Sequence, residues 1–307
     1  PDFGEIYVER ARFYLSRDDS EDALTDWEPA ETHLPGSPEV YLTYANAYLA
    51  LEETETALEY AERAYAADIT NLPVYELLGD LYIETGNYQR ALESLQVYTA
   101  FETDDATGFA KLGQVYFNLG EYQFAIDSID RATEINRNGV RQYYIYRGLS
   151  HLELGNADEA IDDMEVAVDE DDQSFTARLG FARAYYLDEK YGTAFLQIDI
   201  AKSLTETDEE EALMLFWRAR IQEKRGEDIA DAIQSWQDLL ELDEDVMTPE
   251  MREEAEARLK VLVPATRTPT PGASTSTPRA GTSTPTPGTS PTPSRTPTRT
   301  PTPTPTP

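Results

Sequence analysis

The chain of 307 residues carries 59 acidic side chains against 25 Lys and Arg, a formal charge of −34, and 40% of its residues are hydrophobic. That apolar share supports a folded core, while the charge repels nucleic-acid phosphates and anionic membrane surfaces, so neither is expected as a partner. With no cysteine, disulfides, thiolate metal sites and cysteine nucleophiles are excluded, and two histidines, His33 and His151, give no basis for a histidine-built metal or catalytic centre.

The start, Pro1-Asp2-Phe3, has neither Met nor a basic-then-apolar leader and reads as that of a mature or excised fragment; a signal peptide, anchor or catalytic domain would then lie outside it. From residue 4 the chain repeats itself. "LGDLYIETGNYQRALESL" from Leu78 and "LGQVYFNLGEYQFAIDSI" from Leu112 share Leu-Gly, Tyr, Gly, Tyr and Ala at matching offsets, 34 residues apart. Steps of 34 or 35 residues from Gly79 and Gly113 land on Ala11, Ala45, Gly148 and Ala182. A second series runs Ala23, Ala57, Ala91, Ala125, Ala160, Ala194, and a third Ala30, Ala64, Tyr98, Ala132, Ala167, Ala201. Tyr14, Tyr48, Tyr82, Tyr116 and Tyr185 form a fourth, in which His151 takes one place. Each period holds two runs of about 12 residues with helical apolar spacing around a short turn, so the predicted unit is helix-turn-helix. Gly or Ala in the first helix lets the second approach, and pairs must stack because one pair cannot cover its apolar face.

The predicted units are 4–37, 38–71, 72–105, 106–139, 141–174, 175–208 and, with irregular spacing around Ala219, Gly226 and Ala232, 212–246. Leu179-Gly180 imitates the Leu-Gly pair, but that register would put Gly192 where Ala is required. A final helix over 248–262, with Thr248 as N-cap and Pro249 at its first position, caps the array. The longest purely apolar run, Ala212 to Trp217, is far short of the roughly 18 residues that cross a bilayer, so no membrane insertion is expected. From Pro264 to Pro307 the composition shifts to Pro, Thr, Ser and Gly, with 13 Pro in 44 residues, which predicts a disordered tail unable to build a core. Four of the 25 bases lie there, leaving 21 in the repeats against all 59 acids.

These motifs resemble the tetratricopeptide repeat (TPR) family. The clearest copies are Tyr75, Leu78, Gly79, Tyr82, Gly86, Tyr88, Ala91, Leu95 and Phe109, Leu112, Gly113, Tyr116, Gly120, Tyr122, Ala125, Ile129, Ala132. No copy has Trp at the family's first large position, Arg178 stands there in the sixth, and Pro35 alone matches the closing Pro. The resemblance implies an all-α, right-handed α-solenoid of about seven repeats whose concave groove, lined by first helices, grips a partner segment. Carried over by position, the partner-binding residues are Asn46, Asp80, Lys111, Gln114, Phe117, Tyr146, Arg183, Tyr186, Trp217 and Arg220, among aliphatic neighbours such as Leu49 and Ile83 that also serve packing. The carboxylate clamp of one branch of the family is not expected, because Glu5, Val8, Glu39, Leu42, Pro73 and Glu76 stand where it needs lysine.

The runs Asp162-Asp163, Asp169 to Asp172 and Asp208 to Glu211 are read as solvated surface and loop, although they would attract a basic segment. None has calcium-loop spacing, and in Asp18 to Asp22 the needed Gly is Ala23, so no metal is expected. Neither a nucleophile-elbow serine nor a phosphate loop is present, so no enzyme signature and no cofactor is identified. The expected function is a non-catalytic scaffold for a protein or peptide segment, with the tail as spacer. Two alternatives stand beside it: an accessory array of a larger enzyme or surface protein, and, since only 5 of the 25 bases are Lys, an acidic surface suited to high salt. The Pro/Thr-rich tail resembles stalks of secreted or surface-attached bacterial proteins, which favours an extracytoplasmic location over a cytoplasmic one.

Overall fold

The computed structural model describes residues 3–227 and 229–263, so the expectation for the tail lies outside the described residues. Among the described residues there is no strand. Helices α1 (Phe3–Leu15), α2 (Ser20–Leu24) and α3 (Trp27–His33) come first, followed by the pairs α4 (Pro38–Ala50) and α5 (Thr54–Ala67), α6 (Leu72–Glu84) and α7 (Tyr88–Phe101), and α8 (Ala106–Asn118) and α9 (Tyr122–Asn136). A 3₁₀ turn, Asn138–Tyr143, leads into α10 (Tyr144–Leu154) and α11 (Ala157–Glu170). Then come α12 (Phe175–Leu187) and α13 (Tyr191–Lys202), α14 (Asp208–Arg225) and α15 (Ile229–Glu241), and last α16 (Pro249–Leu262). The result is a right-handed all-α solenoid in which each pair packs on the next, and no helix makes more than slight contact beyond the neighbouring pair.

Local chemistry starts and stops these helices. The Asp105 carboxylate accepts from Thr107 N at 2.9 Å and Gly108 N at 3.2 Å, and Ser174 and Thr248 accept from the backbone three residues on, each such cap contributing about 1 kcal/mol. Between the helices of a pair the chain turns through a left-handed residue at Asp18, Glu52, Gly86, Gly120, Gly155 and Glu189, spaced 34 or 35 apart. The same bond closes each turn: Asn87 N donates to Tyr82 O at 2.7 Å, and Asp19, Glu53, Glu121, Asn156 and Lys190 donate likewise to residues 14, 48, 116, 151 and 185. Asp18, Glu52 and Glu189 hold this conformation without being glycine, at roughly 1–2 kcal/mol each.

Small residues sit where the helices of a pair cross. Ala11, Ala23, Ala45, Ala57, Ala91, Ala125, Ala160, Ala182 and Ala194 are fully buried. Gly79 lies under Leu95 and Gly113 under Ile129. Tyr98, the large member of an otherwise alanine series, fits because Gly108 of the next unit lies against its ring: a Cβ there would come within 2.8 Å of Tyr98 Cε1. Gly180 answers to a different neighbour, Met164 of α11, whereas Gly192 is exposed, so the Leu179-Gly180 register fails for a packing reason.

Two units depart from the simple hairpin. In the first, the second helix is broken into α2 and α3, because Pro29 lacks an N–H and its ring would clash with the carbonyl of Thr25 in a continuous helix. The break delivers Asp26, 1% exposed, to Arg10, whose Nε donates to it at 2.7 Å. It also brings Trp27 edge-on to Tyr44 and Tyr60 at 4.8 and 4.9 Å between centroids. In the last unit α14 begins at Asp208, ahead of the expected 212, because Thr207 accepts from Glu210 N and four acids occupy the first turn, where the helix dipole favours them. Asp208 to Glu211 is therefore helix rather than loop. Met251 and Ala255 of α16 close the core over Trp236 and Leu239 of α15.

Candidate partner-binding groove

Nine of the ten expected partner-binding residues fall into three groups along the first helices. Lys111 of α8 reaches back to α6, its Nζ 2.7 Å from one Asp80 oxygen and 3.7 Å from Glu76. Burial, with 16% of the Lys111 side chain exposed, would lower the ammonium pKa, but the Asp80 bond and the charges of Asp80 and Glu76 outweigh it and hold the pKa above its usual value. Lys111 is thus neutralised from within. Beside it the Phe117 ring lies 5.7 Å from Tyr146 of α10, and burial pushes the Tyr146 hydroxyl pKa up against a hydrogen bond from Gln114.

The third group joins α12 and α14. Trp217 is flanked by two guanidinium groups, Arg183 at 5.1 Å and Arg220 at 4.8 Å from its ring, and Tyr186 meets it edge-on at 5.6 Å. Arg183 donates to Glu153 at 2.6 Å and its Nε has no partner among the described residues, and Arg220 pairs with Glu254 at 3.2 Å. Arg258 of α16 continues the series onto Glu223, whose carboxylate also accepts from the Trp236 indole. Asn46 stands apart: it is exposed, donates to Leu42 O of its own helix at 2.8 Å, and among the described residues forms no hydrogen bond with the other nine. Leu49 and Ile83 are partly buried and pack against the core.

Asp80 was among the expected residues, but its pairing with Lys111 was not, nor were the acids Glu153 and Glu254. A signal was present, since Asp80 precedes Lys111 by 31 residues and Glu153 precedes Arg183 by 30, one repeat less a helical turn, which places each pair across adjacent first helices. Asp163 corrects the reading of Asp162-Asp163 as solvated. Asp162 is exposed, but Asp163 is 4% exposed and takes two bonds from Arg147, from Nε at 2.9 Å and Nη2 at 2.6 Å, while Nη1 of the same arginine reaches Asp130 at 2.6 Å. The helical period turns it inward, and only the arginine one α10 face away makes that tolerable.

His151, the exception in the tyrosine series, lies 4.0 Å from Asp163. Burial depresses its pKa below the ordinary 6.5, and Arg147 adds to this, while Asp163, Glu159 and Asp130 oppose it. The unfolded chain therefore takes up a proton near pH 6.5 that the folded chain accepts only at lower pH, so stability falls as pH drops through that window. Melting temperatures at neutral and mildly acidic pH should show a smaller acid loss for His151→Tyr than for the parent; an equal or larger loss would contradict the assignment.

Among the described residues no helix is long and apolar enough to cross a membrane. No curated protein sequence matches the chain. Among solved structures, a tetratricopeptide repeat protein from Parabacteroides merdae is similar at a TM-score of 0.53 and 18% identity, over 84% of this chain and 98% of that one. YrrB, described as a TPR protein with an unusual peptide-binding site, is similar at 0.51 and 21% identity, over 62% and 95%. The Cut9–Hcn1 hetero-tetramer of the APC/C is similar at 0.54 and 20% identity, over 70% of this chain and 42% of that one. At these identities the likeness is one of fold. One tetratricopeptide repeat model matches residues 49–111 and a second matches 8–71, 110–175 and 146–208, together more than half of the sequence, and the chain belongs to the tetratricopeptide repeat family.

Proposed function

We propose that the chain is a non-catalytic scaffold that docks a segment of a partner protein on the face made by its first helices, with residues 264–307 as a spacer. The observation that carries this reading is the pair of aromatic platforms on that face, Phe117 with Tyr146 and Tyr186 with Trp217, set among side chains that can exchange internal partners for external ones. Rings held by packing lose little entropy on contact, and guanidinium donors such as Arg183 fix orientation. The peptide-binding site of YrrB supports the class of partner. The composition of the tail supports the spacer: alternating Thr-Pro favours an extended chain of about 3.1 Å per residue.

Replacing Asn46, Gln114 and Tyr146 together by alanine should abolish capture of the partner, identified by mass spectrometry after pull-down from the native source, without altering helicity by circular dichroism. The chain cut after Val263 should capture it undiminished. Normal capture by the triple variant, with loss on neutralising Asp169 to Asp172, would move recognition to the acidic surface and defeat the proposal.

A further inference from the structure

A cleft of about 510 Å³ opens between α5 and α7 with α6 as its floor, and none of the ten groove residues lines it. The repeat itself indicates what this cleft lacks. Helix α8 begins 34 residues after α6, and α9 begins 34 after α7, so each residue of one gap has a counterpart in the next. In the later gap, Arg131 of α9 lays its guanidinium 5.8 Å from the Phe109 ring centroid and donates to Thr103 O at 3.2 Å. The counterparts 34 residues earlier are Val97, Tyr75 and Ile69. Ring and carbonyl recur, but valine has neither the length nor the charge to cover them. The Tyr75 hydroxyl donates to Ile69 O at 2.8 Å instead, and the space above its ring stays open.

Three further features suit that space to a cation. Tyr65, 40% exposed, stands where the next unit has Thr99 and meets Tyr75 edge-on at 5.5 Å, adding a second ring. Glu93 lines the cleft, is exposed, and forms no ion pair among the described residues. At the other end of the same cleft Arg90 already shows the chemistry at work: it lies 5.5 Å over the Tyr82 ring and donates to Glu62 at 2.9 Å, while Tyr82 donates to that carboxylate at 2.8 Å. A guanidinium stacks on a ring and bonds a carboxylate at once, which an ammonium does less well. The net charge of −34 draws cations in from a distance.

We propose that this cleft binds an arginine side chain of a partner protein, its guanidinium over Tyr75 and paired with Glu93, in the place that Arg131 fills in the next unit. The test uses the full chain and two capped Gly-Ser peptides that differ only at the centre, where one carries arginine and the other its uncharged isostere citrulline. Binding is followed by NMR of the tyrosine rings. The arginine peptide should bind at least about tenfold more tightly than the citrulline peptide, and added salt should weaken it. Val97→Arg should fill the cleft from within, abolish peptide binding and raise the melting temperature. Glu93→Gln, at an exposed position that does not threaten folding, should weaken binding severalfold and flatten the salt dependence. The Asn46, Gln114 and Tyr146 variant should bind both peptides as the parent does, which keeps this cleft distinct from the groove. Equal binding of the two peptides would make the cleft merely apolar, and equal binding of the arginine peptide by the parent and Val97→Arg would assign it to the diffuse acidic surface. Either result overturns the proposal, as would arginine binding that emerges only after the arginines beyond Val263 are removed, since the occupant would then be the chain itself.

Discussion

Gly113→Leu should lower the stability of the repeat array by roughly 2–4 kcal/mol, measured by chemical denaturation, and Gly79→Leu should do nearly as much. A Cβ at residue 113 would strike Ile129 and lie 3.0 Å from Ala125 O, a backbone atom that cannot move unless α9 moves with it. At residue 79 the obstacle is Leu95, 2.6 Å from the added carbon, a side chain with some freedom to turn, so the cost there should be the smaller of the two. Gly192→Ala supplies the contrast. Its Cβ meets nothing within 4 Å in α13, and the loss of a helical glycine should leave stability unchanged or raised by up to about 1 kcal/mol. Equal behaviour of all three would refute the close-contact account.

Arg147→Met should cost more still, roughly 3–5 kcal/mol, because it leaves the Asp163 carboxylate in the core without its two donors. The pH dependence separates this from a simple packing defect. Burial already pushes the Asp163 pKa up, and the Arg147 hydrogen bonds and charge hold it down; without them it rises further. A carboxyl whose folded pKa exceeds its unfolded value penalises folding above that folded pKa, and the penalty disappears as acid protonates it. The gap between parent and variant should therefore narrow as pH falls, and Arg147→Met with Asp163→Asn should recover much of the loss at neutral pH. A gap that is constant with pH would mean that Asp163 is not charged in the fold.

Much of the architecture was legible because a period is visible without knowing any contact. The glycine and alanine series foretold where helices cross, and Pro29 could have foretold the break between α2 and α3. The turn residues Asp18, Glu52 and Glu189 were less legible as left-handed than glycine would have been: only the step of 34 or 35 residues from Gly86, Gly120 and Gly155 marks them, and the conformation is imposed by helices that continue on either side. Asp163 was hidden by abundance: among 59 acids, nothing in its own neighbourhood marks the one that turns inward. Of the groove, the residue types could be assigned by position, but the internal pairing of Lys111 with Asp80 and of Arg183 with Glu153 depends on how adjacent first helices stack. That spacing changes which of these side chains is free to meet a partner.

The restriction of packing to neighbouring pairs has a kinetic side. Every contact that matters joins residues within about two repeats of one another, so no long loop must close before stabilisation begins, and the low contact order favours fast folding. Any adjacent pairs can nucleate, and growth proceeds outward from them as in a one-dimensional chain. Interior pairs gain from two neighbours and terminal ones from one, so opening starts at the ends. At one end α16, pinned by Arg258 on Glu223, acts as a latch that slows that fraying, whereas the short α2 and α3 leave the other end the first to exchange its amide hydrogens.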